Sequence, residues 1–122
     1  CTVAATGIMV EQAMIAARQL AGEGIRVRVL NIPSIKPIDR ELLTASARKT
    51  GAVVTAEEHN IIGGLGSAAA EVLAEEYPVV MRYVGIRDRF GASGDPNVLL
   101  EAYGLRAPHI IEAVRDAVRA KG

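Results

Sequence analysis

The residues with the most chemical potential lie close together, in Glu57-Glu58-His59-Asn60-Ile61-Ile62-Gly63-Gly64-Leu65-Gly66-Ser67. Two carboxylates, an imidazole, a hydroxyl and a set of glycines could serve three purposes. The first is acid–base catalysis by Glu57, Glu58 and His59. Adjacent strand residues point to opposite faces, so Glu57 and Glu58 do not address one substrate together. No nucleophile accompanies them, and the second histidine, His109, is distant in sequence. The second is anion binding. Gly64-x-Gly66-x-x-Ala69 fits a relaxed glycine fingerprint, and the free N–H groups of a helix start at Gly66-Ser67 attract negative charge. A dinucleotide is disfavoured, because the stretch from Glu58 to Gly63 is long for that turn. The next strand also ends at Val84 rather than at an acidic residue. The third is close packing: Gly63, Gly64 and Gly66, with Ser67 to Ala70 behind them, make a thin helix that a neighbouring element can approach. Close packing accounts for most of these residues, and an interface or anion site at Glu57, Glu58, His59, Gly63, Gly64, Gly66 and Ser67 is the candidate to test.

The elements that must position this stretch follow from apolar periodicity. Thr2–Thr6 reads as a strand and Met9–Ala21 as a helix, with Val10, Ala13, Ala17 and Leu20 inward. Ile25–Asn31 reads as a strand near a sheet edge, since arginines occupy one face. Pro33 and Pro37 bracket a stiff connector. Asp39 caps a helix running to Thr50, with Leu42, Leu43 and Ala47 facing inward. Ala52–Glu57 is a third strand, His59–Gly64 a loop, Gly66–Tyr77 a small-residue helix and Val79–Val84 a fourth strand. Arg87–Pro96 reads as a polar loop in which Asp88 pairs with Arg82, Arg87 and Arg89. A short helix over 96–103 and a final helix from Pro108 follow, the latter with Ile110, Ile111, Val114 and Val118 inward. Strands alternating with helices predict a mainly parallel sheet covered on both faces.

Bulk properties narrow the function. The chain has 122 residues, the size of one domain over 1–122. Lys and Arg equal Asp and Glu at fourteen each, and Trp is absent, with one Phe and three Tyr. Neither a basic excess nor aromatic platforms point to nucleic acid. Cys1 is the one cysteine, so an internal disulfide is excluded, and metal-ligand spacing is absent. No stretch is long enough to span a bilayer, which is compatible with a cytoplasmic protein. The chain opens on a β-branched segment without an initiator Met, which reads as the tail of a longer polypeptide.

Taken together, Ser34-Ile35-Lys36-Pro37-Ile38-Asp39 and the Thr55–Ser67 stretch resemble the C-terminal domain of the transketolase family. Gly85-Ile86-Arg87-Asp88-Arg89-Phe90-Gly91-x-Ser93-Gly94 and Tyr103-Gly104-Leu105 continue the likeness. His59 and the Phe90–Gly94 loop look most like the split transketolases, whose C-terminal subunit is a separate polypeptide. The same domain type occurs in deoxyxylulose-phosphate synthase and in 2-oxoacid dehydrogenase β subunits. The resemblance implies a three-layer α/β/α sandwich with a mainly parallel sheet of about five strands. It implies an enzyme of the pentose phosphate pathway type that moves a two-carbon ketol unit between sugar phosphates with thiamine diphosphate and Mg. In that family the cofactor lies between a diphosphate-binding domain and a pyrimidine-binding domain, at a dimer interface. The motifs of both domains are missing from this chain, so it is expected to bind no cofactor and to hold no catalytic residue. Its expected partners are a pyrimidine-binding domain upstream in the same chain, a diphosphate-binding domain or subunit, and further copies in a homodimer or higher assembly. Its own role is expected to be structural or regulatory.

Overall fold

The computed structural model describes residues 1–86 and 106–122, apart from the side chains of His59, Asn60 and Ile86. The expected polar loop over 87–96, the helix over 96–103 and the Phe90–Gly94 and Tyr103–Leu105 motifs lie outside the described residues.

Alternation of short apolar runs with helical stripes produces β1 (Thr2–Ala5), α1 (Met9–Ala21), β2 (Arg28–Asn31), α2 (Arg40–Thr50), β3 (Ala52–Asn60), α3 (Leu65–Glu76), β4 (Val80–Ile86) and α4 (Ala107–Lys121). The strands form one sheet in the order β2-β1-β3-β4, with every pairing parallel. Val3 stands opposite Val29 on one side and Val54 on the other. Parallel pairing requires crossover connections, and these helices supply them. A fold of the α/β class results, with β2 at an edge among the described residues, as its arginines suggest. Four strands lie among the described residues, and the fifth of the expectation is not among them.

Each face of the sheet carries its own core. Val3, Ala5, Val54 and Ala56 pack with Met9, Ala13, Ala16 and Leu20 of α1 and with Ile110, Ile111 and Val114 of α4. On the other face Ala4, Leu30 and Val53 meet Leu43 and Ala47 of α2 and Leu65, Ala69, Val72 and Leu73 of α3. The strand period of two therefore sends alternate residues of β1 and β3 into two helix layers.

Several elements differ from the sequence expectation. Ala16, not Ala17, completes the buried stripe of α1; on α4, Ala107 and Ala117 are buried while Val118 is partly so. On α4 a small alanine, Ala117, lies against the sheet where periodicity alone favours the larger Val118. The strand expected from Ile25 begins at Arg28, because the register sets Arg28 opposite Thr2 and the preceding residues run past β1. β3 continues to Asn60, so the turn before α3 is shorter than the expected His59–Gly64 loop. β4 likewise runs on to Ile86 rather than ending at Val84. Arg82 pairs with Asp116 on α4, and this pairing ties the helix to β4. No helix among the described residues is long and apolar enough to cross a membrane.

Polar contacts close the ends. Asp39 accepts from the Leu42 N–H at 3.1 Å, and Gly51 (φ +77°) ends α2 in the left-handed region that favours glycine. At the start of α4 the Ala107 N–H donates to Gln12 Oε1 of α1 at 2.9 Å. Arg106 N–H donates to His109 Nδ1, which gives His109 a local capping role. Arg115 joins Glu23 at 2.6 Å, and its guanidinium holds the Glu23 carboxyl below its ordinary range.

Asp39→Ala removes the α2 cap. It is expected to lower unfolding free energy by about 1 kcal/mol in urea titration. An unchanged midpoint contradicts this capping role.

Candidate functional site

The Val53, Thr55 and Glu57 side chains lie on the α2/α3 face of β3. Glu57 is completely buried there. A carboxylate in that position requires strong partners. The start of α3 supplies them: the Leu65 N–H donates to Glu57 Oε1 at 2.8 Å and the Gly66 N–H to Oε2 at 2.7 Å. The helix thus receives its cap from a neighbouring strand. Gly64, its N-cap residue, has no side chain to offer. Both the unpaired N–H groups and the helix dipole favour negative charge at this point.

The turn is shaped to bring the two groups together. Ser67 Oγ donates to the Ile61 carbonyl at 2.8 Å and accepts from the Gly63 N–H at 3.1 Å. The Gly64 and Ser67 N–H groups also donate to the Ile61 carbonyl, at 3.1 and 3.3 Å. One serine hydroxyl therefore fastens both sides of the turn. Gly66 allows the close approach. A Cβ there would stand 2.8 Å from Ile61 Cγ2, 3.0 Å from Tyr83 Cδ1 and 3.3 Å from Glu57 Oε2. The thinness of this helix start is used against β3 and β4 of the same domain.

Glu58 points the other way. Its Oε1 would lie 2.7 Å from a Cβ at Gly7, in the turn between β1 and α1. Gly7 has φ +61°, so close approach and backbone conformation both call for glycine. Glu57 and Glu58 are separated by the sheet. His59 continues β3, and the β3–β4 register shifts between Ala56 and Asn60, an irregularity of the bulge kind at the edge where the motif lies. Sequence periodicity gives no sign of it. Gly63 and Ile62 form the exposed tip of the turn, and Ile62 is 71% exposed.

The site residues fit a buried anion supplied by the protein itself. A thiamine diphosphate or free phosphate at the Gly66-Ser67 helix start would meet the Glu57 carboxylate on the Leu65 and Gly66 N–H groups. The residues present do not fit that group here. Among the described residues no cluster of three or more His, Cys, Asp or Glu is arranged to hold a metal ion.

The family model for the transketolase C-terminal domain matches residues 1–110. The chain belongs to the transketolase C-terminal domain family. Over 98% of its length this domain is 52% identical to the 6-deoxy-6-sulfo-D-fructose transketolase subunit SqwH of Clostridium sp. (strain MSTE9). It is 42% identical, again over 98% of its length, to the 1-deoxy-D-xylulose-5-phosphate synthase of Heliobacterium modesticaldum. Among solved structures it superimposes with TM-score 0.94 and 57% identity on a split-gene transketolase in an inactive β4 tetramer, covering 99% of this chain. This transketolase C-terminal domain spans 37%, 18% and 40% of those three chains.

Replacing Glu57 with Ala leaves two buried N–H groups without their acceptor. Glu57→Gln sets an amide donor against one of them. Each is expected to cost about 2 kcal/mol or more in chemical denaturation. Wild-type stability in both variants contradicts the bidentate cap.

Proposed function

We propose that this chain is the C-terminal domain of a thiamine-diphosphate-dependent transketolase, which moves a two-carbon ketol unit between sugar phosphates. Its own part is to pack on the pyrimidine-binding domain and support assembly. The observation that carries this reading is the pair of matches to transketolase subunits, at 52 and 57% identity over nearly the whole domain. Thiamine diphosphate and Mg belong to the diphosphate- and pyrimidine-binding parts of the full protein, which we place in the cytoplasm. The partner set is a diphosphate-binding domain or subunit and a second copy, in a homodimer or larger assembly. That one relative is described as a β4 tetramer supports self-association.

Relatives named for a sulfo-sugar, for deoxyxylulose phosphate and, in Phocaeicola vulgatus, for apulose 4-phosphate share this domain at 37–52% identity. Such variety supports a domain that is indifferent to the substrate, with selectivity in the remaining chain. It also keeps a deoxyxylulose-phosphate synthase or a 2-oxoacid dehydrogenase β subunit within the same reading of the domain. A stand-alone anion-binding module is the weaker reading, because Glu57 already accepts from the helix-start N–H groups.

The test is made in the assembled holoenzyme with Gly66→Val. The added side chain collides with Ile61 and Tyr83, displacing the turn that carries the exposed Ile62. Loss of assembled mass in light scattering, with a matching loss of ketol transfer, is expected. Unchanged mass and unchanged transfer contradict an assembly role for the motif.

A further inference from the structure

The outward face of α1 is unlike that of the other helices. Among the described residues the exposed large apolar side chains are Ile8 (47%), Met14 (47%), Ile15 (37%), Ile62 and Tyr77. Three of these belong to α1 or its first cap. The outward positions of α2, α3 and α4 are dominated by charge, with Glu41, Arg48 and Lys49, then Glu71 and Glu75, then Glu112, Asp116 and Arg119. Ile8, Glu11, Ile15 and Arg18 follow helical spacing and share one stripe, with Met14 beside it. An exposed apolar stripe on one helix of an otherwise charged surface marks a contact.

The charges on this stripe define the partner. Glu11 and Arg18 are both exposed, and neither has an ion-pair partner among the described residues. Arg40, Arg82, Arg115 and Arg119 pair, whereas Arg26, Arg28, Arg48 and Lys49 share with Arg18 the lack of an ion pair among the described residues, so it is the spacing of Glu11 and Arg18 about the apolar pair that matters. Glu11 and Arg18 are about 10 Å apart along the helix axis, and Met14 and Ile15 lie midway between them. This order is self-complementary. If a second α1 runs antiparallel, with its two-fold axis at Met14–Ile15, Glu11 meets Arg18 of the second copy and Arg18 meets its Glu11. The four central apolar side chains then cover one another. Ile8 falls opposite Ala21 of the other copy, where the small Ala21 and Gly22 leave room. A two-fold contact uses the same patch twice, and this patch satisfies that condition.

We propose that α1 is a self-association surface, occupied by α1 of a second copy in this antiparallel arrangement. The proposal deepens the assembly part of the reading above by naming the surface and its partner. Its test reads mass rather than turnover, so its failure leaves the ketol-transfer reading standing.

Sedimentation velocity on the full-length protein that carries this domain, over a concentration series reaching about 1 mM, provides the test. Wild type is expected to dimerise. Glu11→Arg sets Arg against Arg at both contacts, and Arg18→Glu sets Glu against Glu, so each single variant is expected to weaken the dimer at least tenfold. The double variant Glu11→Arg/Arg18→Glu restores both pairs and is expected to restore the dimer. Both positions are exposed, so unchanged circular dichroism is expected throughout. A wild type that stays monomeric overturns the proposal and leaves α1 to a different polypeptide. Dimers insensitive to the single reversals, or not restored by the double one, overturn it in favour of another surface.

Discussion

The organisation of this domain depends on one carboxylate bound to one helix end. Glu57 lies wholly inside the protein and accepts from the first two N–H groups of α3. The interaction resolves two costs together. A buried carboxylate is expensive without strong donors, and a buried helix start is expensive without acceptors. Bringing them together fixes where α3 begins, how the turn from Ile61 to Gly64 must fold, and why residue 66 has no side chain. Ser67 and Gly66 serve this contact, the first by fastening the turn and the second by leaving room for it.

The same contact changes how the glycine-rich motif is understood. A strand, a glycine turn and a helix start commonly mean a bound phosphate. Here the same elements surround an internal anion. The fingerprint Gly64-x-Gly66 is common to both cases, because both require backbone N–H groups to reach an oxygen without a Cβ in the way. Only the strand residue that faces the helix start distinguishes them. A glutamate at position 57, on the face that α3 covers, provides from within what a ligand provides elsewhere.

Much of the fold was legible because its causes are local. Asp39 and Gly51 punctuate α2 as their chemistry requires, and the bounds of α1 follow from its apolar stripe and from Gly22 at its end. What was not legible depends on neighbours distant in sequence. The late start of β2 comes from its register with β1, and the Arg82–Asp116 pair joins positions that no spacing rule connects. The Gln12 contact with the start of α4 is of the same kind. Within the site, opposite-face strand geometry separates Glu57 from Glu58 already at the level of sequence. The extension of β3 through His59 and its register shift were hidden, since pairing with β4 decides them.

The central claim is that Glu57 holds the start of α3 in the folded domain, and native-state hydrogen exchange at the Leu65 and Gly66 amides measures it most directly. The account predicts that both amides exchange only through large-scale opening, with protection close to that of the β3 core amides. Exchange at the rate of an exposed turn, with the domain otherwise folded, would contradict it and leave those N–H groups free for a ligand.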